Sequence, residues 1–160
     1  MKRKDYVPGL RVSLVRDAAA NPVPQGAVAD TPAMAAAVVR AFIPAGEERE
    51  HFVALYLDAR SRVKGACVVS IGTLSASLVH PREVFRPAIV AGAAAVIVAH
   101  NHPSGDVTPS AEDREATRRL VRAGELLGVP LLDHVIVADC VSQGTTGGLK
   151  FYSFKDGGLL

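Results

Sequence analysis

The stretch AAVIVAHNHPSGDVTPSAED, residues 94–113, decides both the fold class and the candidate site. Its first residues run to His100 with no polar alternation, which is typical of a strand covered on both faces. A loop, NHPSGDVTP, follows, and from Ser110 apolar residues recur at helical spacing as far as Leu127. A buried strand, a loop and a helix in this order predict an α/β domain with its site at the carboxyl end of the strand.

The sequence on either side of this stretch predicts further helices and strands. Thr31 and Pro32 are suited to begin a helix that runs to Pro44, and Pro81 begins another that Gly92 can end. Residues 51–58 and 63–72 predict a hairpin. Residues 129–139 predict a second buried strand, followed by the Gly-rich loop SQGTTGG and a short final strand, LKFYSF. The fold class is therefore α/β, a mixed central β-sheet flanked by helices.

Length and charge limit the domain organisation and the partners. With 160 residues we expect one domain over residues 31–160, preceded by an extended arm over residues 1–30 that contains three prolines. A formal charge of +2 gives no reason by itself to expect nucleic-acid or membrane binding. The N-terminus has no apolar core of signal-peptide length and no stretch is long enough to span a membrane, so we expect a cytoplasmic location.

His100, His102 and Asp113 predict a metal site. The two histidines are one residue apart, so in an extended segment their side chains point to the same side and can bind one ion. Asp113 falls in the first turn of the next helix, where it can supply a third ligand. Two imidazoles and one carboxylate leave a tetrahedral zinc with one open position, the arrangement of catalytic rather than structural zinc sites.

Each part of this pattern also has an ordinary structural interpretation. A histidine at a strand end is usually a hydrogen-bonded structural residue, and Ser110 with Asp113 matches a helix-capping pattern that needs no metal. Asp106 is an alternative ligand, but PSGD is a turn sequence and we rank it below Asp113. The combination of all these features on one short segment favours the metal site.

The segment HNHPSGDVTPSAED, with its flanks SIGTLSASLVHPREVFRPAI and REATRRLVRAGELLGVPLLDHVIVAD, resembles the RadC family of JAMM (MPN-fold) metalloproteins. The resemblance runs from about Glu50 to Asp139. It implies an MPN/JAMM domain of cytidine-deaminase-like architecture and one zinc ion per chain, bound by His100, His102 and Asp113. It also implies that Ser110 stabilises an oxyanion. Longer RadC proteins carry an N-terminal helix-hairpin-helix region, and the first 30 residues do not predict one.

The JAMM pattern also requires an upstream glutamate, for which we choose Glu50. It stands at the entrance of the HFVALYLD strand, and REHF resembles the corresponding RadC stretch. Glu47 and Glu48 are better explained as ordinary charged residues, and Glu83 as a carboxylate in the first turn of a helix. In the implied reaction, Glu50 accepts a proton from a zinc-activated water and delivers it to the leaving amine.

Three functions are weighed on these grounds. The leading prediction is a zinc metallopeptidase or isopeptidase acting on a protein or peptide, with ubiquitin-like conjugates among the candidate substrates. The alternative is a DNA-associated protein of repair or recombination without peptidase activity. The third is a binding module that has lost catalysis, which the intact motif disfavours.

Several neighbouring residues are expected to have supporting or structural roles. Asn101 is expected to support the loop, because in an extended segment it faces away from the two histidines. Asp133 and His134 are candidates to orient a ligand imidazole, although we favour a structural role for His134 and leave Asp133 open. The arginines at 114, 118 and 122 form a helical stripe, which we interpret as a solvated face.

Overall fold

The computed structural model describes residues 26–43, 46–72, 79–142 and 145–160, with the backbone alone for residues 140–142 and 145–149. Three helices and five strands follow one another in the described chain. In order they are α1 (Pro32–Val39), β1 (Glu50–Leu57), β2 (Val63–Gly72), α2 (Pro81–Val90), β3 (Ala95–Asn101), α3 (Ala111–Leu127), β4 (Leu131–Ser142) and β5 (Thr145–Ser153).

The strands form one mixed sheet in the order β2-β1-β3-β4-β5. The hairpin β1-β2 is antiparallel, β1 is antiparallel to β3, β3 is parallel to β4, and β5 returns antiparallel to β4. The carboxyl end of β3 therefore lies beside the amino end of β1, where Phe52 pairs with His100. This antiparallel pairing brings residues from two distant parts of the chain together at the same end of the sheet.

Each face of the sheet carries its own apolar core. On one face α1 packs against residues that include Leu55, Ala99 and Val135. On the other face α2 and α3 cover residues that include Phe52 and Val98. Because both faces are covered, every residue of β3 is buried, as expected from its uninterrupted apolar sequence. The predicted α/β class with a mixed, helix-flanked sheet is confirmed.

The end of α1 and the start of β5 differ most from the sequence prediction. Helix α1 ends at Val39 rather than continuing to Pro44, because the amides of Ala41 and Phe42 bond to carbonyls three residues back and tighten the chain into turns. Strand β5 begins at Thr145, so the second half of SQGTTGG is strand and not loop. There Thr145 pairs with Ser142, and the chain returns along β4 after only two residues.

The predicted N-terminal arm falls mostly outside the described residues, since 1–25 are not among them. Residues 26–30 are described and contact the sheet region. Val28 bridges to Arg62, and Ala29 is buried with its amide donating to the Ser61 carbonyl at 2.9 Å. Within the described ranges, no helix combines the length and the apolar character needed to cross a membrane.

Helix α3 approaches the start of β4 closely at Gly124, and we predict that Gly124→Ala lowers the free energy of unfolding. A Cβ at this position would lie 2.7 Å from the Val129 carbonyl oxygen and 3.2 Å from Cζ of Phe85. Overpacking of this kind costs ~1–3 kcal/mol, against a gain in helix propensity of ~1 kcal/mol. Because the nearest atom belongs to the backbone and cannot swing aside, the upper part of this range applies, and chemical denaturation should show a net loss of about 1–2 kcal/mol.

Gly65→Ala is the matched control for this prediction. Its Cβ would meet only Tyr56 Cδ2 at 4.0 Å, so its effect should stay within about 0.5 kcal/mol. Equal stability of the Gly124→Ala protein and the wild type would contradict the close approach of α3 to β4.

Candidate metal centre

Three side chains with metal-binding atoms converge where β3 ends and α3 begins. His100 is the penultimate residue of β3, His102 follows the strand, and Asp113 lies in the first turn of α3. Their donor atoms lie within 4.8 Å of one another. The sheet fixes the first histidine and the helix fixes the carboxylate, so the loop between them only has to place His102.

The separations of these donor atoms suit a zinc ion. Nε2 of His100 lies 3.0 Å from Nε2 of His102 and 3.1 Å from Oδ1 of Asp113, and Nε2 of His102 lies 3.4 Å from Oδ2 of Asp113. A tetrahedral zinc with ligand bonds of ~2.0–2.1 Å holds its ligand atoms about 3.3 Å apart. The donor set, two imidazoles and a carboxylate, fits zinc in its chemistry, and each histidine nitrogen lies near this separation from one of the two carboxylate oxygens.

Asp113 combines this position with a capping role. Its Oδ2 accepts hydrogen bonds from the amide of Ser110 at 2.8 Å and from the hydroxyl of Ser110 at 2.7 Å, and its own amide donates to Ser110 Oγ at 3.1 Å. Burial alone would raise the pKa of the Asp113 carboxyl, but the bonds from His100, His102 and Ser110 hold that pKa far below its usual range. The capping box thus presents an ionised carboxylate to the two histidines.

The turn after β3 determines which nitrogen of His102 faces the cluster. Nδ1 of His102 lies 2.6 Å from the Asp106 carbonyl oxygen, which can only accept, so Nδ1 carries the proton and donates it. Nε2 is then the nitrogen with a lone pair for a metal. The Asp106 carboxylate itself bonds the amide and hydroxyl of Thr108, and these bonds lower the pKa of Asp106.

His102 is also the most accessible of the three. Its side chain is 14% exposed, whereas those of His100 and Asp113 are 0% and 2% exposed. The hydrogen bond to Asp113 raises the pKa of His102, and the nearby charge of Glu50 adds a smaller rise. Solvent therefore reaches the cluster on the His102 side.

His134, for which we favoured a structural role over orienting a ligand imidazole, contacts His100 directly. Nε2 of His134 lies 2.8 Å from Nδ1 of His100, and Nδ1 of His134 lies 2.6 Å from Oγ1 of Thr117. Burial lowers the pKa of His134 well below its usual value, and the neighbouring His100 lowers it further. Thr117 was missed entirely, although its position four residues after Asp113 places it on the same helix face.

Asp133 has the structural role that the sequence left open. Its Oδ1 accepts from the amides of His134 at 2.8 Å and Lys155 at 3.1 Å, and its Oδ2 accepts from the Ser153 hydroxyl at 2.7 Å. These bonds tie the start of β4 to the end of β5. Asp133 therefore supports the strand that carries His134, and none of these three partners belongs to the metal cluster.

Glu50 begins β1 and is brought to the same edge of the sheet. The side chain of Asn101 bonds the backbone on both sides of it. Oδ1 of Asn101 accepts from the His51 amide at 2.7 Å, and Nδ2 donates to the Arg49 carbonyl at 3.0 Å. Asn101 thus supports the entrance of β1, whereas we expected it to support only its own loop.

The other glutamates have contacts of their own. Glu47 accepts from the amide and side chain of Arg49 and lies 3.8 Å from the His51 ring, and Arg49 lowers the pKa of Glu47. Glu83 pairs with Arg82 and Arg86 on α2. These contacts agree with the ordinary structural interpretation of both residues.

An open cleft of 510 Å³ adjoins the cluster at His102. Residues 46–48 and 103–105 line it, together with Arg40, Asp139 and Lys150. Arg40 forms an ion pair with Asp139, which also accepts from the Gly46 amide at 2.9 Å. The cleft is therefore polar, carries both signs of charge, and passes the accessible side of the candidate centre.

A mixed sheet between helices, with the candidate centre at the end of its middle strand, is consistent with a JAB (MPN) domain. The profile of the RadC-like JAB domain matches residues 29–159, which is most of the chain. This chain therefore belongs to the RadC family of JAB-domain proteins.

Relatives in bacteria and archaea are similar over the same part of the chain. A UPF0758 protein of Rubrobacter xylanophilus is 52% identical over 113 residues, covering 71% of this chain and 45% of the relative. Those of Geobacillus thermodenitrificans and Methanosarcina mazei are 50% and 46% identical over 112 and 114 residues, covering 70% and 71% of this chain and 46% of each relative. The match thus spans about half the length of these relatives.

Proposed function

We propose that this chain is a zinc-dependent metallohydrolase of JAMM type that cleaves a peptide or isopeptide bond. The observation that carries the proposal is the convergence of His100, His102 and Asp113, whose potential metal-binding atoms lie within 4.8 Å of one another. Membership of the JAB-domain family supports it.

In this proposal the three residues hold one zinc ion and leave one position open. When bound, zinc supplies Lewis-acid chemistry that makes water acidic near neutral pH. His102 is the most accessible of the three residues, so solvent would reach a bound ion from its side. The ionised Asp113 offsets the positive charge at the buried side of the site.

Glu50 is proposed as the general base and acid. Two observations support this choice: its charge contributes to the raised pKa of His102, and the Asn101 side chain holds the backbone on both sides of it near the end of β3. From there the carboxylate takes a proton from water and then delivers it to the leaving amine. General catalysis of this type contributes typically about 10²–10⁴-fold in rate.

Ser110 is proposed to donate to the oxyanion of the tetrahedral intermediate. In the structure its hydroxyl donates to Oδ2 of Asp113, so donation to the oxyanion requires that hydroxyl to rotate. Loss of one such donor typically costs about 10²-fold or more in rate.

The proposed substrate is a protein or peptide, including an isopeptide conjugate of a ubiquitin-like protein. The cleft that passes His102 is open rather than enclosed, and carboxylate and cationic side chains line it together. Such a groove suits an extended polar chain better than a small apolar ligand, which usually needs an enclosed, mostly apolar pocket.

Metal removal tests the proposal directly. We expect the purified protein to bind one zinc per chain, to lose cleavage of some member of a panel of peptides and ubiquitin-like conjugates after chelation, and to recover it on addition of zinc. Absence of zinc binding would contradict the metal site. Zinc binding without any cleavage, together with DNA binding that falls steeply with salt, would favour the DNA-associated alternative.

A further inference from the structure

We propose that Thr117 and His134 are positioning residues that fix the proton on Nδ1 of His100 and so direct the lone pair of its Nε2 to the metal. The inference deepens the proposed function and rests on it for the identity of the metal. It is carried by a buried chain of hydrogen bonds that runs from α3 through β4 to β3. Both residues are fully buried.

The direction of the chain is set at Thr117. Its hydroxyl oxygen lies 2.6 Å from the Asp113 carbonyl oxygen. A carbonyl cannot donate, so the single hydroxyl proton must point to it. Oγ1 of Thr117 is then only an acceptor towards Nδ1 of His134, 2.6 Å away, and that nitrogen must carry a proton.

The same argument determines which nitrogen of His100 carries the proton. An uncharged imidazole with its proton on Nδ1 has a lone pair on Nε2, and this nitrogen lies 2.8 Å from Nδ1 of His100. Nδ1 of His100 therefore donates, and Nε2 of His100 is left as the metal-binding nitrogen. A hydrogen-bond partner of the ring nitrogen that does not bind the metal fixes both the tautomer and the ring orientation of a metal-binding histidine.

Aromatic packing also restrains the orientation of the His100 and His134 rings. Phe154 stacks on the His134 ring with centroids 4.6 Å apart and an interplanar angle of 14°. Phe52 lies nearly parallel to the His100 ring at 6.0 Å and edge-on to His134 at 5.5 Å. The hydrogen-bond order is thus held by the two aromatic residues as well as by Thr117.

The consequence for the cluster is that, when both rings are uncharged, their two Nε2 lone pairs face each other and the Asp113 carboxylate. His102 is fixed in the same tautomer by the Asp106 carbonyl, and the two Nε2 atoms are 3.0 Å apart. Lone pairs at this distance repel unless a cation or a proton lies between them. The outer contacts therefore prepare both histidines for a shared metal ion.

Zinc affinity of the full chain tests the role of Thr117 without any substrate. Thr117→Val keeps the shape of the side chain but removes the hydroxyl. We expect it to raise the zinc dissociation constant by about 10–100-fold, as for other partners of metal-binding histidines. Thr117→Ser restores the hydroxyl and should return the affinity to near the wild-type value. Thr31→Val, which removes the cap of α1 far from the site, should leave it unchanged.

His134 provides a second, independent pair of variants. His134→Leu removes the acceptor for His100 and should weaken zinc binding, whereas His134→Gln offers an amide oxygen and should retain more of the affinity. Circular dichroism of each metal-free variant checks folding. Wild-type affinity in a folded Thr117→Val protein would overturn the inference while leaving the proposed metal site standing.

Nitrogen NMR of the histidine rings separates failure of the inference from failure of the proposed function. In the metal-free wild type we expect His134 with a protonated Nδ1 and a bare Nε2, whether or not zinc ever binds. A proton on Nε2 of His134 would overturn the inference. A protein that shows the expected ring protonation but binds no zinc would instead overturn the proposed function.

Discussion

Replacement of Glu50 by Gln is expected to lower the rate of zinc-dependent cleavage by about 10²–10⁴-fold and to leave zinc affinity near the wild-type value. Glutamine keeps the size of the side chain but cannot accept a proton from water. Glu50 is not among the three clustered donors, so the metal site should persist. The measurement pairs a single-turnover cleavage assay with a zinc titration of the same preparation.

Glu48→Gln is the matched control, because Glu48 is an exposed carboxylate two residues away that lines the cleft beside His102. It should retain cleavage within a few-fold. If the effects of the two variants were exchanged, Glu48 would be the base and the choice of Glu50 would be wrong. If Glu50→Gln lost zinc as well, its role would be to hold the metal.

Replacement of Asp113 by Asn is expected to weaken zinc binding by about 100–1,000-fold. Structural zinc sites with four ligands bind with an apparent ~10–16 kcal/mol, or about 2.5–4 kcal/mol per ligand. Asparagine preserves the shape and can still cap α3, but it removes the charge that faces Nε2 of His100 and Nε2 of His102. A competition titration against a chromophoric zinc chelator measures the change.

Glu112→Gln controls for the charge of the helix end, because Glu112 is an exposed acid in the same first turn of α3. Its substitution removes the same favourable interaction with the helix dipole, worth about 0.3–1 kcal/mol. Zinc affinity should not change. An Asp113→Asn protein that bound zinc as tightly as the Glu112→Gln protein would rule out Asp113 as a ligand.

The elements that sequence predicts best are those whose boundaries carry strong local signals. Helix α3 has the predicted cap at Ser110 and ends where Gly128 adopts a left-handed conformation, with φ of 68°. The hairpin β1-β2 and the buried strand β3 also follow their hydrophobic patterns. The two errors, at the end of α1 and the start of β5, lie where pairing or turn formation overrides local composition.

The metal cluster was predictable because its three residues lie within one short segment whose local geometry brings them together. Glu50 required the family resemblance, since no local pattern shows that β1 lies antiparallel to β3. The roles of Thr117 and His134 depend on contacts between α3, β4 and β3, and therefore on tertiary packing. The sequence signal for His134 is a histidine within the apolar run of β4.

The side chain of Asn101 influences the position of the proposed base, Glu50, without contributing a donor atom to the metal cluster. Backbone pairing of β1 with β3 ends at Phe52 and His100, while the next residues of β3 continue along β4, where the His102 amide bonds the Val137 carbonyl. Beyond that point the side-chain amide of Asn101 bonds the main chain on both sides of Glu50. A single substitution at 101 can therefore change catalytic alignment while the sheet and the three metal donors keep their places.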